Sequence, residues 1–227
     1  MRIRVLGYTP FMPKKKFQAL IFGPQGSGKS TQGHLLSEWF GVPYVSSGDV
    51  LREEVEKGTM LGKMTEEYVH SGVLAPDELV NAILLKRLKE AGTEHGFVLD
   101  GYPRNVEQAE SLDRLIKIHL AIQLKMSDAM AIKRLAGRRQ CPVCRAVFHV
   151  SEVPTLNNRC TLCGHVLAKR KDDEEETIRR RLAFYHFMTE PMASYYRQRE
   201  VLLSVNAEQS IKLLFEELVK KIEKLWR

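Results

Sequence analysis

Eight residues near the start of the chain, Gly23-Pro24-Gln25-Gly26-Ser27-Gly28-Lys29-Ser30, follow the pattern G-x-x-x-x-G-K-S of a phosphate-binding loop. Glycine lets backbone N–H groups converge on phosphate oxygens where a Cβ would block them. Lys29 can bring a full positive charge to β and γ phosphates, and the Ser30 hydroxyl can ligate Mg²⁺. Such a loop has to sit between a strand and a helix. Phe17 to Phe22 is a short apolar run that suits a buried parallel strand. Leu35, Leu36 and Trp39 recur at helical spacing behind the loop, so a helix N-terminus adds its partial positive charge.

A second set of chemically capable residues is the cysteines. All four fall in one segment: Cys141 and Cys144, then fifteen residues, then Cys160 and Cys163. Two C-x₂-C knuckles at this separation form a zinc pattern. The alternatives are two disulfides or four free thiols, and a reducing cytosol disfavours disulfides. Four thiolates close the coordination shell, so this zinc would hold shape without doing chemistry. It would replace the core that an insert of about thirty residues is too small to build. His149 and His165 are expected to pack on the knuckles or face solvent. A zinc ribbon can also bind nucleic acid, but the basic and aromatic residues here are sparse: Arg145, Phe148, Arg159 and Lys169 to Lys171.

The elements that must position these groups follow from periodicity. With 227 residues and 44% hydrophobic content, the chain can build a globular core. No apolar run is long enough to span a membrane, and a cytosolic protein is expected. The net charge of +7 suits polyphosphate substrates as well as nucleic acid. Residues 1–16 read as an extension in which Met1 to Leu6 could form a brief strand ahead of Lys14-Lys15-Lys16. A second strand is expected at Val42 to Val45, with Ser46 to Asp49 capping the next helix. Helices are expected over 49–57, 61–71 and 77–90, then a strand at Phe97 to Asp100, a helix over 106–117, a strand over 119–124 and a helix over 128–138. After the cysteine insert, 139–169, two helices across 173–198 break near Pro191. A strand at 201–205 precedes a terminal helix with Ile211, Leu214, Leu218, Ile222 and Leu225 on one face. Met60, Met64 and Met126 read as fillers of core or hinge gaps. Alternating strands and helices predict a parallel sheet covered on both sides.

Taken together, these motifs resemble the adenylate kinase family in its long form with a zinc-bearing lid. The resemblance spans about residues 17–205. It rests on the loop continuing into Thr31-Gln32, Ser46-Ser47-Gly48-Asp49 with Leu51-Arg52, Asp77-Glu78-Leu79-Val80, Asp100-Gly101-Tyr102-Pro103-Arg104, Gly137-Arg138-Arg139, the four cysteines, Arg170-Lys171-Asp172-Asp173, and Thr177 through Arg181. It implies an α/β P-loop NTPase fold: a parallel-sheet core (17–45, 76–137 and 171–227), a helical section for the nucleoside monophosphate (46–75) and a zinc lid (138–170). The implied reaction is reversible Mg²⁺-dependent phosphoryl transfer from ATP to AMP, giving two ADP. A cytoplasmic monomer is implied, with neither membrane nor nucleic acid as a partner.

The resemblance also implies site roles. Gly23, Gly26, Ser27, Gly28, Lys29, Ser30 and Thr31 hold the ATP phosphates, and Arg134 stacks on the ATP base. Arg52 and Arg104 grip the phosphate of the monophosphate. Ser47 and Gln108 meet its base or ribose side, Leu74 and Ala75 close over the base, and Gly101 lines the same pocket. Arg138, Arg170 and Arg181 converge on the migrating phosphoryl group, with Lys29 and Arg104. Asp100 orders Mg²⁺ through water, and Asp172 and Asp173 anchor the lid. Arg139, Arg179 and Arg180 read as surface charges. The chain departs from the family pattern in several places. Ser30 stands where glycine is usual, and Ser47 where threonine is usual. Asn105 is similar to its counterpart in pyrimidine nucleotide kinases, so CMP or UMP is the alternative acceptor, while the Gln108 amide fits the adenine edge. Residues 205–210 lack a glycine turn. A P-loop ATPase or switch that binds nucleic acid through its ribbon is the rival reading.

Overall fold

The computed structural model describes residues 16–71, 75–90, 92–144, 146–151, 157–169 and 173–226. Leu74, Arg170, Asp172 and the expected strand at Met1 to Leu6 lie outside the described residues. The chain opens with β1 (Phe17–Phe22), β2 (Tyr44–Ser46), β3 (Gly96–Asp100) and β4 (Leu120–Lys125). Two short strands, β5 (Arg138–Gln140) and β6 (Val147–His149), pair antiparallel as a separate hairpin, and β7 (Leu202–Asn206) returns to the main sheet. That sheet is parallel throughout, in the order β2-β3-β1-β4-β7.

Alternation along the strands feeds two cores. From β1, Leu20 and Phe22 enter one apolar cluster, while Phe17, Ala19 and Ile21 enter the other. On β3, Phe97 and Leu99 face the first cluster and Val98 the second. Both faces are therefore buried, which is why these strands read as unbroken apolar runs. α1 (Lys29–Phe40) and α9 (Ile211–Trp226) cover one face. α2 (Ser47–Glu56), α3 (Met60–Ser71), α4 (Asp77–Glu90) and α5 (Val106–Asp113) line the other, with a contribution from α8 (Met192–Gln198). α6 (Asp128–Ala136) and α7 (Glu175–Phe184) share a small cluster of Ala131, Leu135, Ile178 and Leu182 beside the sheet.

Several expectations change once packing is considered. The helix expected over 106–117 ends at Asp113, because the His119 N–H already donates to Gln18 O at 2.9 Å and the chain must leave the helix to join β1. The helix expected to reach residue 138 stops at Ala136. A side chain on Gly137 would come within 2.1 Å of the His149 imidazole, and Arg138 instead begins the hairpin strand β5. The break expected near Pro191 is a π-helical turn over Tyr185–Thr189, with Pro191 at the start of α8. Met60 and Met64 fill no gap: they are 81% and 50% exposed on α3. On α9 the buried face is Leu214, Phe215, Leu218 and Ile222, while Ile211 and Leu225, at the two ends of the helix, are exposed.

The β1–β3 contact depends on one glycine. Gly96 has φ +128, and a Cβ there would lie 2.1 Å from Phe17 O. Gly96→Ala is expected to destabilise the protein by about 2–3 kcal/mol or more through overpacking and backbone strain. Urea unfolding measures this; a midpoint unchanged from wild type would show that β1 and β3 can separate at no cost.

Candidate active site

The carboxyl ends of β1 and β3 lie side by side, with Ile21 in register with Asp100. In an open parallel sheet this edge is where ligands bind. The glycine loop leaves β1 there and enters α1 through Gly28, whose φ of +89 only glycine adopts readily. Gly23 is needed for a different reason: a Cβ would come within 2.5 Å of Leu124 O. Ser27 is buried, and its N–H donates to Pro24 O at 3.2 Å, tightening the loop. The Lys29 ammonium lies across the loop, donating to Gly23 O at 2.8 Å and Pro24 O at 2.9 Å. Thr31 follows in the first turn of α1.

Asp100 closes the far side. It is buried, and one of its oxygens, Oδ2, accepts from both Ser30 Oγ at 2.9 Å and Tyr44 OH at 2.6 Å. Burial, followed by the Asp100 charge and hydrogen bond, pushes the Tyr44 phenol well above its ordinary pKa, so it remains a donor. Arg104 leaves the turn after β3. Its Nε donates to Gly101 O at 2.7 Å, its N–H to Gln108 Oε1 at 2.7 Å, and its carbonyl accepts from Thr189 Oγ1 at 2.7 Å.

The cations feel one another. Burial lowers the Lys29 pKa most; Asp100 opposes that shift, and Arg181, Arg104 and Arg138 add to it, leaving the value at about 8. Burial also lowers the Arg104 pKa; Asp100 opposes this, and the charges of Arg181 and Arg52 reinforce it. Lys29, Arg104, Arg138, Arg181 and Arg52 thus belong to one electrostatic neighbourhood, although they come from five separate segments. Arg138 is held by Asp173, through Nε at 2.7 Å and a terminal nitrogen at 2.5 Å, with the Asp173 side chain fully buried. Arg52 pairs with Asp49 at 2.5 Å, and its guanidinium folds over Gly48, where a Cβ would lie 3.3 Å from a terminal nitrogen. Arg179 and Arg180 are exposed, and Arg179 pairs with Glu175 at 2.7 Å. Arg139 is half-buried and donates to the Arg138 carbonyl at 2.8 Å.

The groups with expected roles at the bases are already engaged within the protein. Ser47 Oγ donates to Gly101 O at 2.8 Å. Gln108 is buried, and besides accepting from Arg104 N–H it donates through Nε2 to Asp77 Oδ1 at 2.5 Å. Because a carboxylate only accepts and a backbone N–H only donates, these partners fix which way round the amide lies. Ala75 is buried in the adjoining core cluster. On the other side, Arg134 reaches Gly26 O at 3.4 Å and Gln209 O at 3.2 Å, tying the loop to the turn after β7. That turn has no glycine; it is closed instead by the Asn206 side chain, which accepts from the Glu208 N–H at 3.0 Å, and by Glu208, which accepts from the Ser127 N–H at 2.7 Å. Tyr44, Asp77, Thr189 and Glu208 were not picked out individually from sequence. Asp77 had a signal, because it heads a quoted motif at the start of α4; the other three act across the fold and carry no local one.

In the hairpin region the four cysteine sulfurs lie within 4.8 Å of one another. The knuckles are shaped by Cys141 N–H donating to Ala146 O at 2.9 Å and Cys160 N–H to His165 O at 2.8 Å. Cys141 and Cys160 are buried with Leu167, and Phe148 packs against them, so this aromatic belongs to the hairpin's own small core. His149 packs beside Gly137, and His165 is exposed with its ring on Cys163 O at 3.0 Å. Four thiols converging from two knuckles fit a tetrahedral zinc ion.

Two measurements follow. The folded Lys29 pKa of about 8 lies below the ordinary lysine value of 10.5. Between those values the unfolded chain binds more protons, so this group makes the ligand-free fold more stable as pH rises across the window. A polyphosphate beside the ammonium raises its pKa again, so ATP binding at pH 8 should take up about half a proton. Calorimetry in buffers of different ionisation enthalpy detects this uptake, which should vanish in Lys29→Met; buffer-independent heats in wild type would contradict it. Cys144→Ser should lower bound zinc and the melting temperature by about 10 °C or more, while low-temperature turnover falls far less. Equal metal content in variant and wild type would exclude tetrathiolate ligation.

A sequence model of the adenylate kinase family matches residues 21–201. The chain is 42% identical over 213 residues to an adenylate kinase of Archaeoglobus fulgidus, covering 91% of this chain and 98% of that one. It is 37% identical over 211 residues to an adenylate kinase of Thermoanaerobacter sp. (strain X514), covering 90% and 97%. It is also 37% identical over 205 residues to an adenylate kinase of Methanosarcina acetivorans, covering 88% and 95%. With the loop, the arginine cluster and the hairpin in place along the matched length, the chain belongs to the adenylate kinase family.

Proposed function

We propose that the protein passes a phosphoryl group reversibly between ATP and AMP, ATP + AMP giving two ADP, as a cytoplasmic enzyme that works as a monomer. The observation that carries this reading is that Arg181, Arg104 and Arg138 all act on the charge of Lys29, whose pKa burial lowers to about 8. Arginine and lysine gathered in one neighbourhood suit a substrate that brings several negative charges, and such a field draws polyanions in.

In this reading, Gly23 to Thr31 wrap the ATP phosphates, and Arg134 lies against the ATP base. Arg52 and Arg104 hold the AMP phosphate. Ser47, Leu74, Ala75, Gly101 and Gln108 form the surface that receives the AMP base and ribose. The AMP phosphate oxygen attacks the terminal phosphorus of ATP, and the bond to the ADP oxygen breaks. No carboxylate base is needed, because the attacking oxygen is already anionic. The transition state is loose, with charge on its equatorial oxygens. Lys29, Arg104, Arg138, Arg170 and Arg181 stabilise that charge.

Ser30 and Asp100 form the oxygen-rich corner that suits Mg²⁺, directly or through water, and the bound ion would neutralise phosphate charge. The four cysteines would hold a structural zinc that stiffens segment 138–170, which closes over the 46–75 section and the core (17–45, 76–137 and 171–227). Closure keeps water from taking the phosphoryl group. Arg138 rides on this segment and moves with it, and Asp173 anchors it at its base.

A coupled assay for ADP from Mg²⁺ and ATP with AMP, CMP, UMP or no acceptor tests this reading. AMP should be the preferred acceptor, and hydrolysis without an acceptor should be slow. Lys29→Ala should lower kcat by at least ~10²-fold while zinc content stays the same. No ADP from any monophosphate with folded, metal-loaded protein would refute the reading.

A further inference from the structure

We propose that Tyr44 is a positioning residue for phosphoryl transfer: it holds the Asp100 carboxylate in a single orientation, and Gly33 is the seat that lets it do so. This rests on the reading of Asp100 as the carboxylate serving the nucleotide phosphates. Tyr44 OH donates to Asp100 Oδ2 at 2.6 Å, and Ser30 Oγ donates to the same oxygen at 2.9 Å. Neither engages Oδ1. With both donors on one oxygen, the carboxylate cannot swing without breaking a charge-assisted bond.

The two donors differ in what else they can do. Ser30 is exposed at the mouth of the loop, the last residue of the phosphate-binding motif, and as a candidate Mg²⁺ ligand its hydroxyl would turn towards the nucleotide when that is bound. Tyr44 is half-buried at the start of β2 and lies outside the phosphate-binding motif. With Ser30 turned to the nucleotide, the phenol would be the donor that remains on Oδ2.

The seat of the ring gives independent support. Gly33 lies inside α1, where glycine weakens a helix relative to alanine. A Cβ at this position would lie 2.5 Å from Tyr44 Cε2 and 3.0 Å from its Cδ2. The ring therefore occupies the space that an ordinary helical residue would fill. His34, next on the helix, packs against the ring with centroids 3.9 Å apart. The helix is thus cut away at one residue and stacked at the next so as to aim a hydroxyl at Asp100.

Tyr44→Phe removes one oxygen atom and keeps the packing. In that variant kcat should fall about tenfold, the size expected for losing one hydrogen bond to a charged group, with the KM for AMP within twofold of wild type. Calorimetry provides a readout independent of turnover. ATP affinity in the presence of a chelator should be unchanged, while the gain in affinity on adding Mg²⁺ shrinks about tenfold. Gly33→Ala should produce the same pair of changes by pushing the ring off its seat, and should add nothing further in the Tyr44→Phe background. The proposal is overturned if Tyr44→Phe keeps wild-type kcat and the wild-type Mg²⁺ gain, even if it melts lower, because the bond would then be structural only. It is also overturned if Gly33→Ala costs as much in the Tyr44→Phe background as in wild type. Absence of ADP formation by the wild-type protein would instead count against the proposed function, leaving the chelator and Mg²⁺ calorimetry to decide the role of Tyr44.

Discussion

Positive charges crowded into a partly dry volume repel one another, and much of this structure bears on that repulsion. Lys29 sits where burial and three arginines all act against its charge, with Asp100 the main opposing influence. Arg104 is in the same position. In water such a cluster would spread apart. Here three of the members are tethered: Lys29 to two carbonyls of its own loop, Arg104 through its backbone and Nε, and Arg138 by an ion pair with a buried aspartate. A polyanion bound among them would relieve the repulsion.

The tethers come from places remote in sequence. Thr189 fixes the Arg104 carbonyl from the π-helical turn. That turn also presents His186 to Asp128 and Glu190 at 2.8 Å each. These contacts, chiefly the Glu190 hydrogen bond and then that of Asp128, hold the imidazole above its ordinary pKa. One irregular turn thus braces Arg104 and the start of α6, the helix that carries Arg134 and leads to Arg138. π-Turns are often found at functional sites, and here the extra residue per turn lets α7 run into α8 while Thr189 still points at the turn after β3.

The cysteine hairpin addresses a different difficulty. Between Arg138 and Ala168 the described chain is held by a two-stranded ladder, a few isolated bridges and a small apolar group around Cys141, Cys160 and Leu167. That is too little buried surface to hold such a segment in shape. Four thiols within 4.8 Å offer a metal site as the missing core. The Asp173 pair holds Arg138, at the start of this hairpin, from the turn that leads into α7.

Local pattern was enough to read the phosphate loop, the alternation of strands and helices and the two cysteine knuckles. Each is written in consecutive or closely spaced residues: glycines where a Cβ would block the backbone, apolar runs for strands buried on both faces, cysteines three apart. Local pattern failed where packing decides. Met60 and Met64 have core-type side chains but are exposed on α3, and the helix after Asn105 stops early because Ile118 and Leu120 are needed in the core. It was also silent on Tyr44, Asp77 and Thr189 as partners of Asp100, Gln108 and Arg104, since those bonds join residues 31 to 85 positions apart. Hydrophobic periodicity and backbone sterics act over a few residues and can be read along the chain. Which donor meets which acceptor depends on strand order and register, and those exist only once the sheet has formed.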